Sequence, residues 1–342
     1  MGLGHIFMTA ANAVLPILLL ILLGYGLKKI GWVSPAFAKT GNKLVFNIFL
    51  PAMLFVNVYD IDGIGSIQWD VVVFVMVVIC LLFALAIFIS VCTTPVPERR
   101  GVIMQCVYRS NYAIIGMPLA AALGGEEAMA ITAVISAFSI PLYNLFSVIA
   151  LSMFLKNPDG QRRRFKAVFL DIIKNPLILA VAAGFVFLGL RQLQGELFGE
   201  VVFTLKDDLA FLYKALSNLK SIASPLALVV MGAQFEFTAV KGLLKEIVVG
   251  TASRVVIAPI VGIGLAVLLS AQTNLLSCGV NEYPALVALY GSPVAVSSAV
   301  MAGQMHNDEQ LATQLVVWTS VFSIFTVFLT VCIMMPLGLL AV

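Results

Sequence analysis

Two stretches of this sequence carry polar side chains inside otherwise apolar runs. One is Arg109-Ser110-Asn111, seven to nine residues ahead of Pro118; the other is Ser292-Pro293 with Ser297 and Ser298 behind it. An arginine fork binds pairs of oxygens, an asparagine offers donor and acceptor together, and a serine offers a hydroxyl. Arg109 lies nine residues beyond Arg100, roughly 13 Å along a helix at 1.5 Å per residue, which is mid-way through a ~30 Å hydrocarbon core. A charge that deep is costly and marks a candidate functional position. Two readings of Arg109 stand side by side: a partner for a carboxylate, or a fixed bond to an acidic group or to freed carbonyls. Arg254 is the other arginine inside an apolar run. Asn47 flanks Pro51 in the same way and could face the same region.

These polar residues are placed by prolines. Pro51 and Pro118 are 67 residues apart, and Pro225 and Pro293 are 68 apart. A proline inside a helix removes a backbone bond and clashes with the preceding turn, at ~3 kcal/mol or more. In lipid no water rescues the freed carbonyl, so breaks persist only inside protein or beside a cavity. Paired broken helices in corresponding places of two halves point to a transporter's binding site. Breaks are therefore expected at Pro118 and Pro293, with half-helix N-termini that suit a carboxylate.

Composition bounds the class. Of 342 residues 61% are hydrophobic and 11% charged, with mean hydropathy +1.06. Soluble domains have about 25% charged residues, so this reads as an integral membrane protein. Continuous apolar runs of ~20 residues predict helices rather than a barrel. A net charge of +3 is too small and scattered for a nucleic-acid surface. The five cysteines show no CxxC spacing, and two histidines do not suggest a metal site. No phosphate-cradling GxxxxGK[ST] loop, HExxH or GxSxG occurs, so neither ATP-driven transport nor an enzyme is expected, and no cofactor. Residues 13–27 have no preceding Lys or Arg and no cleavage site behind them, so they read as a retained helix.

Ten apolar segments follow, near 9–29, 40–59, 68–92, 101–122, 127–155, 173–190, 208–235, 243–270, 281–303 and 310–340. Threaded alternately through a membrane, they leave fourteen of the 20 Lys and Arg in loops on one side and four on the other. The basic side is cytoplasmic by the positive-inside rule, which puts both termini outside. The halves, 1–155 and 156–342, also match in their prolines and glycines. Pro16 and Gly24 are eight apart, as are Pro176 and Gly184, and Pro51-Ala-Met-Leu parallels Pro225-Leu-Ala-Leu. Five segments per half make the second half run in the opposite sense, an inverted repeat with its site near the bilayer midplane.

The run Tyr108–Leu119 (YRSNYAIIGMPL), followed by Gly124–Glu127 (GGEE), resembles the fourth span of the auxin efflux carrier family. Leu50–Phe55 (LPAMLF) resembles its second span and Ser224–Leu228 (SPLAL) its seventh. Pro141–Asn144, Asn175-Pro176 and Gly291–Met305 are similar to the corresponding pieces, so the resemblance covers residues 10 to 335. The long cytoplasmic loop of the plant members is absent. The resemblance implies an all-α membrane fold of ten transmembrane helices in two inverted five-helix repeats, like that of bile acid/sodium symporters. Spans four and nine are broken there and cross at the site. It also implies a scaffold of spans 1, 2, 6 and 7 and a transport domain of spans 3–5 and 8–10. Substrates in that family are organic anions, auxin-like or malate- and malonate-like.

The expected function is a secondary transporter, moving a small organic anion across the plasma (inner) membrane by alternating access. The expected site residues are Asn111, Pro118, Pro293, Arg109, Ser110, Asn47, Ser292 and Ser297. A sodium- or proton-coupled symporter and a non-transporting membrane receptor are the alternatives. Expected partners are the substrate and the lipid bilayer, with a homodimer left open.

Overall fold

In a bilayer the backbone has only itself to bond to, so spanning segments become helices or closed barrels. Every regular element among the described residues is helical. The computed structural model describes residues 3–60, 68–155, 170, 174–236, 238–273 and 275–340. Its helices are α1 (Leu3–Lys29), α2 (Pro35–Tyr59), α3 (Trp69–Thr93), α4 (Pro97–Tyr108), α5 (Tyr112–Met153) and α6 (Pro176–Phe198). After them come α7 (Ala210–Gln234), α8 (Ala239–Gln272), α9 (Glu282–Gly291), α10 (Ser297–Gln304) and α11 (Glu309–Met334). The expected basic loop carrying Lys156, Arg162, Arg163, Arg164 and Lys166 lies outside the described residues.

Seven helices among the described residues are long and apolar enough to cross a membrane: α2, α3, α5, α6, α7, α8 and α11. By contrast α4, α9 and α10 have 12, 10 and 8 residues. At 1.5 Å per residue none of the three can span a ~30 Å core alone. The 42-residue α5 is kinked at Gly125, whose φ of 69° and ψ of −157° are open to a residue without a Cβ. That kink falls where the fourth and fifth apolar segments were expected to part.

Prolines act here in two ways. Three of them widen a helix without breaking it. Before Pro51, Pro118 and Pro259 the helix makes a π-turn, at Val45–Phe49, Tyr112–Gly116 and Ser253–Ile257. Each turn closes on an i→i−5 bond: Leu50 N–H to Val45 O, Met117 N–H to Tyr112 O, Ala258 N–H to Ser253 O. A proline ring clashes with the carbonyl four residues back, and the wider turn moves that carbonyl aside. Pro118 therefore lies within α5. The break expected there falls instead at Arg109–Asn111, directly after α4. Pro293 does sit at a true break, between α9 and α10.

Small residues let the helices approach closely. A Cβ on Gly24 would lie 2.0 Å from the Val229 carbonyl oxygen, and one on Gly232 would lie 2.0 Å from that of Ile21. This reciprocal pair welds α1 to α7. Gly184 likewise brings α6 onto Val58 and Phe55 of α2. On the other side Gly101 seats α4 against Ala150 and Leu151 of α5. The two breaks are held between these groups.

Candidate functional site

The two breaks meet. Ser110 and Val294 form a single antiparallel β-bridge, and the Asn111 N–H donates to the Pro293 carbonyl at 2.8 Å. Val294 N–H is taken by Thr319 Oγ1 of α11 at 3.2 Å. A break in an apolar helix frees backbone groups, and these two breaks satisfy some of each other's. On one side of the bridge α4 and α9 end at Tyr108 and Gly291. On the other side new helical turns begin at Tyr112 and Ser297, and neither has a side-chain cap.

A cavity of about 50 Å³ opens beside the bridge. Its walls are the break residues Arg109–Ile114 and Ala295–Ser297, α2 (Leu50, Met53, Leu54, Asn57), α5 (Ile140, Tyr143, Asn144), Leu177 of α6, and Ser224 and Ala227 of α7. One water needs ~10–15 Å³ on this measure. The space therefore holds a few waters, and a larger guest requires the helices to part.

Arg109 is 4% exposed and reaches along the cavity wall. Its Nη1 donates to Ser147 Oγ and contacts Met301 Sδ, and its Nη2 donates to Asn144 Oδ1 and Ser297 Oγ, each at 2.8 Å. Asn144 and Ser147 are held in turn, donating to the carbonyls of Ile140 and Tyr143. All four partners are neutral. Among the described residues no carboxylate lies within 4.0 Å of this guanidinium. The fixed acidic partner that one reading of Arg109 required is not there, and the charge is left uncompensated.

The rest of the polar lining is rich in donors. Asn111 is 4% exposed and its Nδ2 has no hydrogen-bond partner; nor has Ser110 Oγ, also buried. The helix starts at Tyr112 and Ser297 add partial positive charge, although the Ser298 and Ala299 N–H groups already donate to the Ala295 and Val296 carbonyls. No Asp or Glu lines the cavity.

The structure thus brings together Arg109, Ser110, Asn111 and Ser297, while Pro293 contributes its carbonyl to the bridge. Three other expected site residues lie elsewhere. Asn47 is exposed on the π-turn of α2 and folds back to the Lys43 carbonyl at 2.8 Å. Ser292 is fully buried with its hydroxyl on the Ala288 carbonyl at 2.6 Å. Pro118 is outside the lining. Asn144, Ser147 and Met301 had no prominent place in the sequence reading. The i, i+3 spacing of Asn144 and Ser147 puts both on one helical face, a signal that pairs naturally with a buried arginine.

A family model described as membrane transport protein matches residues 9–331. The chain belongs to the auxin efflux carrier family. It is similar to a protein of Methanothermobacter thermautotrophicus named uncharacterized transporter, 23% identical over 329 residues, covering 93% of this chain and 96% of that one. It is also similar to an uncharacterized transporter of Methanocaldococcus jannaschii, 23% identical over 323 residues, covering 94% and 97%. Membership in the auxin efflux carrier family, with the apolar helices above, makes this an integral membrane protein of transporter type.

Proposed function

We propose that the protein is a secondary transporter for a small organic anion, which binds at the crossing of the two breaks. The observation that carries this reading is the character of the cavity: an uncompensated arginine, an unpartnered Asn111 Nδ2 and two uncapped helix starts, with no acidic side chain. A carboxylate accepts hydrogen bonds and carries negative charge, so it complements that donor set. Arg109, Asn111, Ser110 and Ser297 are the groups we assign to it.

Ten crossings in two oppositely oriented sets of five give the chain its frame in this reading. α4 with the first part of α5 makes one broken span, and α9 with α10 the other. The antiparallel sense of the Ser110–Val294 bridge supports the opposed orientation. The break-to-break correspondence is Tyr108 with Gly291, the last helical residues before each break. Spans 1, 2, 6 and 7 form a scaffold, on the strength of the α1–α7 and α2–α6 glycine contacts, and the remaining spans carry the crossing past it. Because the cavity is water-sized, parting these two groups is how the anion enters and leaves in this reading.

Flux of a labelled carboxylate in proteoliposomes tests the site. Arg109→Ala is expected to lower transport more than tenfold, since charged hydrogen bonds are worth about 1.5–3 kcal/mol, and Asn111→Ala severalfold. Equal rates in both variants and wild type would remove the assignment. Orientation is tested by thiol labelling in a cysteine-free background. Single cysteines at positions 60 and 160 are expected to react from opposite sides, the latter from the cytoplasm, with both termini outside. Labelling of both from one side would end the ten-crossing frame.

A further inference from the structure

The second buried arginine sits behind the crossing. Arg254 is 0% exposed, in the π-turn of α8. Its Nε donates to the Ser292 carbonyl at 2.8 Å, its Nη2 to Leu289 and Tyr290 carbonyls at 2.8 and 2.9 Å, and its Nη1 to the Val107 carbonyl at 3.4 Å. These carbonyls belong to the last turns of α9 and α4, the two helices that end at the breaks, and to Ser292, the residue that follows α9. Among the described residues no carboxylate lies within 4.0 Å of Arg254 either.

The charges nearly cancel. A helix C-terminus carries roughly −0.5 elementary charge, so two of them meeting at one place amount to about −1, which one guanidinium offsets. The helix starts at Tyr112 and Ser297 face the cavity and carry roughly +0.5 each, and Arg109 adds its own charge. If the two C-termini were left bare, their negative ends would oppose an anion at the crossing.

We infer that Arg254 is the positioning residue that sets the sign of the cavity. By neutralising the C-terminal ends of α4 and α9 it leaves the field of Arg109 and the two helix starts to act on a bound anion. It also ties both ends to α8, so that the crossing moves with α8 as one body. This inference rests on the reading of the cavity as an anion site.

The test reads the field directly. Asn57 lines the cavity and is only partly buried, so Asn57→Cys in a cysteine-free background supplies a reporter thiol. Its reaction rates with anionic methanethiosulfonate ethylsulfonate and cationic methanethiosulfonate ethyltrimethylammonium are compared in full-length purified protein. The anion-to-cation rate ratio cancels changes in access or folded fraction, which a merely structural role would alter. The ratio is expected to favour the anionic reagent, to fall at least threefold with Arg254→Gln, and to be held by Arg254→Lys. A ratio unmoved by Arg254→Gln but lowered by Arg109→Gln overturns the role of Arg254 while leaving the anion site standing. A ratio that favours the cationic reagent in the parent overturns the anion site itself. Should Arg254→Gln fail to elute as folded protein, Arg254→His carries the test within one chain: the ratio must fall between pH 6 and pH 8.5 as the imidazole loses its proton, and a flat ratio overturns the inference.

Discussion

Arg109, at a break, and Arg254, inside a helix, are both buried cations with no carboxylate beside them among the described residues, yet they are held by different parts of the chain. Arg254 bonds only main-chain carbonyls, and those carbonyls would otherwise be orphaned at two helix ends. Arg109 bonds side chains, two of which also donate to carbonyls of their own helix. The first arginine is therefore part of the backbone's own satisfaction, and the second is a charge kept available at a cavity wall. An intramembrane arginine is not by that fact a ligand; what accepts from it decides.

The widest separation of the pair is expected in stability. Arg254→Met leaves the carbonyls of Leu289, Tyr290 and Ser292 without their donor, at about 1 kcal/mol or more each. The melting temperature in detergent should fall by on the order of 5 °C or more. Arg109→Met should change it far less, because Asn144 and Ser147 keep their other bonds; equal losses in the two variants would erase the distinction. A smaller effect is expected for Pro259→Ala. That change restores an N–H and lets the π-turn relax, which lengthens the weakest of the Arg254 bonds, the 3.4 Å one to the Val107 carbonyl, at about 1 kcal/mol. A loss exceeding that of Arg254→Met would mean that the turn, not the guanidinium, holds the crossing. The smallest effects belong to Asn47→Ala and Ser292→Ala, whose side chains bond their own helices. Carboxylate flux should stay within about twofold of wild type, and a tenfold drop in either would redraw the cavity.

Much of this was legible in the residues. The apolar fraction and run lengths called for membrane helices, and the polar triplet at Arg109–Asn111 stood out because charge is rare in such runs. The clustering of Arg109, Ser110, Asn111 and Ser297 was anticipated. Proline spacing misled in one respect. Pro51, Pro118 and Pro259 each sit behind a π-turn, a response to proline that spacing alone does not distinguish from a break. The break preceding Pro118 by seven to nine residues needs no proline at all, since the neighbouring strand of chain at Pro293 and Val294 supplies its partner. Asn47 and Asn111 both neighbour a proline in an apolar run, and Asn47 was the weaker of the two expectations. One is exposed and bonded to its own helix; the other is buried with an unpartnered Nδ2.

By itself the sequence determined the solvent and the element type: 61% hydrophobic residues in ~20-residue runs leave helices as the economical way to bond a backbone in lipid. It also determined which few polar groups would be costly to bury, and so worth examining. Tertiary structure alone decided what each of them bonds. The partners of Arg109 and Arg254 lie 35 to 192 residues away along the chain and are brought within hydrogen-bond reach by the fold. Local propensity carries no information about partners so distant, because only packing brings them together.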